Sequence, residues 1–340
     1  MQPTRHMILM TLLFTIIACQ FLVLPSLVTP TSPPPPMEVA TGTATPTETL
    51  TGTATDTPPP TLTLTPVPQI RRVLILSIDG LRPDLISLAP MPNLMNFMQT
   101  GAYSLTAQTV RPSVTLVSHA SMLTGYCPAD HGVNWNDYIP ENGYALGTDL
   151  FDIVHEAGLE TWMFVGKRKL EQVTEPSSLT GFTFVNDRDL VVAERLISEF
   201  PENFSVLFVH FAMPDAMGHQ YGWLSPEQLS VSFRADEAFA NLLAALDARN
   251  LRSETLIIVT ADHGGHETSH GSSLPEDMTI PWIDSGPGIR PGPLSTTVHT
   301  MDTAATAAFA LGLEAPSDWD GVPVFEAFGL PVEEISSQCE

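Results

Sequence analysis

Residues 72–80 read Arg-Val-Leu-Ile-Leu-Ser-Ile-Asp-Gly, an aliphatic run that stops at an aspartate and a glycine. Near-continuous apolar runs of this length are typical of strands buried on both faces of a parallel sheet. Similar runs occupy 161–165, 205–211 and 255–260. Helical patterns occupy 148–157, 187–200, 226–249 and 302–311. The alternation predicts an α/β domain over 70–340, a three-layer sandwich with a mostly parallel central sheet.

Acidic and imidazole groups follow three of these strands. Asp79 follows the first, Asp215 and His219 lie just beyond the run at 205–211, and Asp262 and His263 follow the run at 255–260. Because ligands of open parallel sheets bind beyond the carboxyl ends of the strands, we expect these side chains to converge. A single aspartate in such a place is often only a helix cap, but three placements favour a metal site.

The spacing of these groups suits a divalent cation. Asp215 and His219 are four residues apart, so they can face the same way on one helical turn. Asp262 and His263 can share a metal in a tight bend, which Gly264 and Gly265 permit. Carboxylate and imidazole ligands without a thiolate indicate catalytic zinc, with manganese or iron as alternatives.

A candidate nucleophile lies in the stretch 111–125, which reads as a loop entering a helix that Gly125 ends. Thr115 would stand at the start of that helix, where backbone N–H groups favour an anion. Its hydroxyl could attack phosphorus if a metal activated it. The alternative is that Thr115 only caps the helix.

Taken together, these motifs resemble the type I phosphodiesterase/nucleotide pyrophosphatase family of the alkaline phosphatase superfamily. The resemblance rests on 78–84, 112–119, 124–125, 128–132, 215–219 and 262–264 and extends from residue 70 to about 325. It implies an alkaline phosphatase-like fold and two zinc ions. One would be held by Asp79, Asp262, His263 and the Thr115 oxygen, and the other by Asp215, His219 and one further histidine.

Three histidines compete for that last position: His266, His270 and His299. The family places the ligand in a His-Gly pair before an apolar strand that ends in a Gly-Pro-Gly turn. His270, with Gly271 and the stretch 278–288, fits this pattern. We therefore expect His270 to be the ligand, His266 to support the site from behind, and His299 to be an ordinary loop residue.

Other histidines lack a metal-like context. Asp130-His131-Gly132 repeats the Asp-His-Gly triplet, but it follows Pro128, and we expect it to shape the loop behind the nucleophile. His155 and His210 are expected in the core or on the surface. The sulfatase pattern Cys/Ser-x-Pro-x-Arg is not matched by the stretch 127–131.

One position departs from the pattern that the resemblance implies. Where an asparagine that binds a non-bridging phosphoryl oxygen is expected, this chain has Ser118. A serine hydroxyl also donates a hydrogen bond, although it is shorter. We therefore name Ser118 with Thr115 as a catalytic residue and leave the preference between diester and monoester substrates open.

The charge of the chain excludes one class of function. It carries 14 basic and 38 acidic residues, a formal net charge of −24. An acidic body repels phosphate backbones, which excludes nucleic-acid binding through a basic surface. A phosphate-bearing substrate then needs a local positive centre, and metal ions can supply one.

The N-terminal 69 residues predict export and tethering. Residues 1–28 read as a signal segment in which 16–19, Ile-Ile-Ala-Cys, resembles a lipobox with Cys19 as the lipidated residue. The alternative is an uncleaved signal anchor. Residues 29–69 contain 11 prolines and 14 threonines, which predicts a disordered linker. Both interpretations place the body outside the cytoplasm, where Cys127 and Cys339 either pair or stay free.

These observations support three hypotheses. The first is an extracytoplasmic two-zinc hydrolase, membrane-anchored or secreted, that cleaves phosphodiester or pyrophosphate bonds of a small substrate, with a nucleotide as one candidate. The second is a phosphomonoesterase or phosphonoacetate-type hydrolase on the same metals. The third is a tethered surface binding protein without catalysis. The leaving group and the oligomeric state are not predicted.

Overall fold

The computed structural model of the chain describes residues 70–332 and 339. The predicted signal segment 1–28 with Cys19 and the predicted linker 29–69 therefore lie outside the described residues. A mixed sheet of eight strands forms the centre of the domain. The strands are β1 Arg72–Ile78, β2 Ala102–Gln108, β3 Glu160–Val165, β4 Gly181–Phe184, β5 Phe204–Phe211, β6 Thr255–Thr260, β7 Thr279–Ser285 and β8 Gly292–Pro293.

The strands are ordered β4-β3-β5-β1-β6-β7-β2-β8 across the sheet. The first five are parallel, β7 pairs antiparallel with both β6 and β2, and β8 is parallel to β2. Strands β1, β5 and β6 are adjacent and buried almost throughout, as their apolar runs predict. Their carboxyl ends, with that of β3, open onto one edge of the sheet.

Ten α-helices accompany these strands in the described residues. They are α1 Leu85–Leu88, α2 Pro92–Thr100, α3 Thr115–Thr124, α4 Pro128–His131, α5 Leu150–Glu156, α6 Asp189–Ser198, α7 Met213–Tyr221, α8 Pro226–Ala248, α9 Pro275–Met278 and α10 Asp302–Ala310. Helices α1, α2, α6 and α7 pack on α8, whereas α4, α5 and α10 pack on α3. Two helix groups around a sheet buried on both faces form the predicted three-layer sandwich.

The four predicted helices are present, each shortened by one to four residues. Strands β2, β4 and β8 are additional to the sequence prediction. Strand β2 reads Ala-Tyr-Ser-Leu-Thr-Ala-Gln, which is neither a continuous apolar run nor a regular alternation. In the structure, Leu105 and Thr106 in its centre are exposed. No helix in residues 70–332 is long and apolar enough to cross a membrane.

A disulfide joins Cys127 to Cys339 across 212 residues of sequence. The sequence left open whether these two cysteines pair or stay free, and in the structure they are paired. The bond places Cys339 next to Cys127, three residues after the end of α3, where the Cys127 N–H also donates to Asp320 Oδ2 at 2.7 Å. A disulfide is typical of proteins that work outside the cytoplasm.

Candidate active site

Asp79, Asp262 and His263 form a first buried group at the carboxyl edge of the sheet. One ligand atom from each lies within 4.8 Å of the others. Asp79 extends directly from β1, and Asp262 and His263 lie just beyond β6, so parallel neighbours deliver all three. His263 Nε2 is 3.2 Å from Asp262 Oδ2 and 3.5 Å from Asp79 Oδ1.

Asp215, His219 and His270 form a second group with the same internal spacing. Asp215 and His219 lie on α7 in the predicted i,i+4 relation, with His219 Nε2 3.4 Å from Asp215 Oδ1. His270 comes from the loop between β6 and α9 and stacks on His263 at 3.7 Å between ring centroids. The structure thus brings together the six predicted amino-acid ligands in the two predicted sets. That they bind metal stays a prediction.

The three histidines all aim Nε2 into the site. Their Nδ1 atoms lie within hydrogen-bond distance of backbone carbonyls: His219 with Thr268 at 3.0 Å, His263 with Gly264 at 2.8 Å and His270 with Ser113 at 2.9 Å. A carbonyl only accepts, so Nδ1 carries the proton and Nε2 keeps a lone pair. The Nε2 atoms of His219 and His270 lie 3.1 Å apart. Two lone pairs at that distance repel unless a cation lies between them.

Three buried carboxylate oxygens in the same place have no hydrogen-bond partner: Asp79 Oδ1, Asp215 Oδ1 and Asp262 Oδ2. They are the oxygens nearest to the histidine Nε2 atoms. Buried charges without a partner are costly, and metal coordination removes the cost. The residues therefore fit two divalent cations, one in each group.

Burial keeps two of these histidines, His263 and His270, in the neutral form that binds metal. Desolvation lowers the pKa of His270 to about 4 and also lowers that of His263, so both are neutral at physiological pH. Burial and the neighbouring Asp79 charge raise the pKa of Asp262 well above its usual range. For Asp79, the Lys167 ammonium and the His210 hydrogen bond outweigh burial and hold the pKa well below its usual range.

The Lys167 ammonium bridges a carboxylate of the first group and a carboxylate of the second. Its Nζ lies 2.7 Å from Asp79 Oδ2 and 2.6 Å from Asp215 Oδ2, the oxygens that do not face His219, His263 or His270. It is also 3.3 Å from Thr115 Oγ1. The position of Lys167 relative to the metal groups was not predicted from the sequence. The signal that could have found it is its place two residues after β3, at the same sheet edge.

Thr115 is the first residue of α3, with its hydroxyl 3.5 Å from His263 Nε2. The cap position belongs to Val114, and no side chain caps this helix. The Thr115 hydroxyl is therefore not used as a helix cap and faces both Lys167 and the first group. Gly125 ends the helix in the left-handed conformation, as predicted.

Asn136 lies beside this helix start and was not singled out from the sequence. Its Oδ1 accepts from the Leu116 N–H at 2.9 Å and from Lys169 Nζ at 3.1 Å. Because both partners are donors, the amide orientation is fixed with Nδ2 on the other side. The Asn136 carboxamide thus lies at the start of α3, bonded to the backbone N–H of the residue that follows Thr115.

Ser118 is placed differently from Asn136. It lies one turn further along α3, is fully buried, and its hydroxyl oxygen lies 3.1 Å from Thr109 Oγ1. Thr109 in turn donates to the Asp262 carbonyl. Ser118 supports the backbone of the first group, and its catalytic role stays a prediction that these contacts do not favour.

Histidines outside the two groups have other partners. His210 is buried, and its Nε2 lies 2.9 Å from Asp79 Oδ2, so it orients a predicted ligand, which the sequence analysis did not foresee. His131 Nε2 lies 2.9 Å from Ser121 Oγ on α3. His266 lies in the loop that carries His270, and its Nδ1 is 2.7 Å from Oδ1 of Asp277 in α9. His155 and His299 lie in neither group.

The bend after β6 is tight because neighbouring groups approach closely. A Cβ on Gly264 would lie 2.0 Å from the Glu276 carbonyl oxygen, and one on Gly265 would lie 2.1 Å from the Trp223 ring. Neither glycine has a positive φ. The two glycines are therefore required because a side chain would clash with these neighbours. The backbone freedom that the sequence suggested as their reason is not used here.

Comparison with known proteins agrees with this geometry. The profile of the family described as type I phosphodiesterase/nucleotide pyrophosphatase matches residues 73–152 and 159–290. The human GPI ethanolamine phosphate transferase 2, catalytic subunit, is 27% identical over 294 residues, which cover 79% of this chain and 29% of the relative. The bis(5'-adenosyl)-triphosphatase enpp4 of Xenopus laevis is 24% identical over 265 residues, covering 68% and 56%. The chain spans less than two thirds of both relatives.

Solved structures show the same fold. An inactive variant of murine ectonucleotide pyrophosphatase/phosphodiesterase 5 in complex with AMP aligns with a TM-score of 0.64 and 16% identity, covering 76% of this chain and 98% of that one. The alkaline phosphatase PafA aligns with a TM-score of 0.66 and 14% identity, covering 77% and 100%. The fold is alkaline phosphatase-like, and the chain is a member of the type I phosphodiesterase/nucleotide pyrophosphatase family.

Proposed function

We propose that the protein is an extracytoplasmic two-zinc hydrolase that cleaves phosphodiester or pyrophosphate bonds through Thr115. The single observation that carries the proposal is the set of three histidine Nε2 atoms, each freed by an Nδ1 hydrogen bond and aimed at unpartnered carboxylate oxygens. Neutral imidazole and carboxylate ligands without thiolate favour zinc over other divalent metals. AMP in the murine relative's structure supports a nucleotide substrate.

The residues divide the reaction between them. When bound, the two zinc ions would polarise the phosphoryl group and activate the Thr115 hydroxyl. The Thr115 hydroxyl gives up its proton and its oxygen attacks phosphorus, while the P–O bond to the leaving group breaks and the departing alcohol or phosphate takes up a proton. Water then hydrolyses the phosphothreonine and returns the proton to Thr115. The Lys167 ammonium, 3.3 Å from Thr115 Oγ1, stabilises negative charge on that oxygen. Asn136 Nδ2 donates to a non-bridging oxygen.

A second candidate function, hydrolysis of phosphate monoesters, is favoured by the lysines. A monoester carries one more negative charge than a diester, so its transition state needs more positive charge nearby. Lys167 and Lys169 supply two ammonium groups beside Thr115 and Asn136. Three carboxylates and Lys167 sum to −2, which two divalent cations convert to +2.

The test compares the zinc-loaded full chain on bis-p-nitrophenyl and mono-p-nitrophenyl phosphate. We expect the diester to be the better substrate in kcat/KM. Lys167→Met should lower monoester turnover at least about tenfold more than diester turnover, because the lost charge matters more for the dianion. Arg168→Met is the matched control, since the exposed Arg168 side chain stacks on Tyr138.

Two results would count against these assignments. Equal losses on both substrates in Lys167→Met would mean that Lys167 only holds Asp79 and Asp215 in place. No turnover of either ester by the wild-type chain with full zinc would reject the hydrolase and favour the third hypothesis, a tethered binding protein. The complete set of predicted ligands argues against that hypothesis.

The location outside the cytoplasm, with anchoring through a lipid on Cys19 or through a signal anchor, is part of this proposal. The Cys127–Cys339 disulfide supports an oxidising compartment. Several relatives carry the prefix "ecto" in their names. The substrate partner would then be a small phosphate ester met outside the cell membrane.

A further inference from the structure

The segment that carries Asn136 has little regular structure of its own. Between α4 and α5 the chain contains only the short 3-10 helix Pro140–Asn142. An amide donor on such a segment needs support from elsewhere if it is to hold a fixed position beside Thr115. We refer to residues 133–147 as the Asn136 loop.

Gln172 supplies that support. It lies in the 3-10 helix Arg168–Val173 and is only 2% exposed. Its Nε2 donates to the carbonyls of Ile139 and Gly143, both at 2.7 Å. Its Oε1 accepts from the Ile139 N–H at 2.9 Å and from Trp135 Nε1 at 3.4 Å. Both donors and both acceptor positions of the amide are used, all on the Asn136 loop.

The backbone adds a further link, because the Gln172 carbonyl accepts from the Ala145 N–H at 2.9 Å. The same 3-10 helix carries Lys169, which donates to Asn136 Oδ1, and it directly follows Lys167. The turn that holds the Asn136 loop is therefore also the turn that presents the two lysines.

We propose that Gln172 is a positioning residue that fixes Asn136 against the start of α3 and so couples the phosphoryl-oxygen donor to the Lys167–Lys169 turn. The four side-chain hydrogen bonds of Gln172 all go to Trp135, Ile139 and Gly143, so it would act on the site through the Asn136 loop. The inference rests on the proposed function, since that function assigns the Asn136 amide to a phosphoryl oxygen bound beside Thr115.

The test is a double-mutant cycle in the full, zinc-loaded chain with bis-p-nitrophenyl phosphate as the probe. We expect Gln172→Ala to lower kcat/KM at least tenfold at unchanged zinc content. In the Asn136→Ala background, the same substitution should lower it less than threefold, because Gln172 acts through Asn136. Gln108→Ala is the control, since its side chain bonds mainly to carbonyls of its own strand, and it should retain activity.

Equal losses in both backgrounds would overturn the proposal and leave Gln172 a general stabilising residue. Unchanged activity in folded Gln172→Ala would also overturn it. If that variant does not fold, Gln172→Glu keeps the size and loses the two donated bonds. Backbone amide hydrogen exchange should then rise in residues 133–147 alone. Unchanged exchange there would refute the role of Gln172 in holding the Asn136 loop. An inactive wild-type chain would reject the proposed function. The exchange measurement would still show whether Gln172 holds the Asn136 loop in place.

Discussion

Thr115→Ala is expected to lower kcat at least about a thousandfold while the chain keeps its fold and its metal. The alanine removes the attacking oxygen, but the six amino-acid ligands remain. Stability should change by less than about 1 kcal/mol, because the Thr115 hydroxyl does not cap α3. The measurement is kcat on the diester at matched zinc content, together with thermal unfolding.

Thr115→Ser is the control for this experiment, because it keeps a hydroxyl at the same place and should keep part of the activity. Thr109→Ser tests the neighbourhood, since Thr109 bonds to Ser118 and the Asp262 carbonyl without facing the two groups. A rate for Thr115→Ala within tenfold of the parent, about 1.4 kcal/mol in the barrier, would assign the attack to water.

Metal removal is the second change with a large expected effect. The full chain should contain about two zinc ions, and exhaustive chelation should abolish turnover that added zinc restores. Chelation should also lower the melting temperature, because Asp79, Asp215 and Asp262 stay buried together, and Lys167 pairs with Asp79 and Asp215 alone. Elemental analysis, activity and thermal unfolding measured on the same sample check this.

Site-selective variants refine the result. His270→Ala removes a ligand of the second group alone, so about one zinc ion should remain. His299→Ala, a histidine outside both groups, should keep both. Full turnover in a sample that elemental analysis finds free of metal would contradict the two-zinc account.

The carboxyl ends of the buried strands could be predicted from the sequence because their chemistry is local. Each of the apolar runs of β1, β5 and β6 is followed within a few residues by an aspartate: Asp79, Asp215 and Asp262. Because the three strands are parallel neighbours, their direction alone brings these aspartates to one edge of the sheet. The helix start at Thr115 and its end at Gly125 also follow from short-range signals.

The supporting residues could not be predicted because their roles depend on long-range contacts. Lys167 lies in a short loop whose distance from the metal groups the sequence does not give, yet it bridges residues 88 positions earlier and 48 later. Asn136 sits on an irregular loop whose place depends on Gln172, 36 residues away. His210 lies inside an apolar strand, and only its proximity to Asp79 reveals its function. Interactions of this kind leave no periodicity in the chain.

The stereochemical course at phosphorus tests the central claim most directly, because attack by Thr115 requires two successive displacements. The measurement hydrolyses one diastereomer of a p-nitrophenyl phosphorothioate diester in isotopically labelled water and determines the configuration of the product. Each in-line displacement inverts the phosphorus centre, so a phosphothreonine pathway predicts net retention. Net inversion would show a single attack by water and would contradict the role of Thr115 as nucleophile.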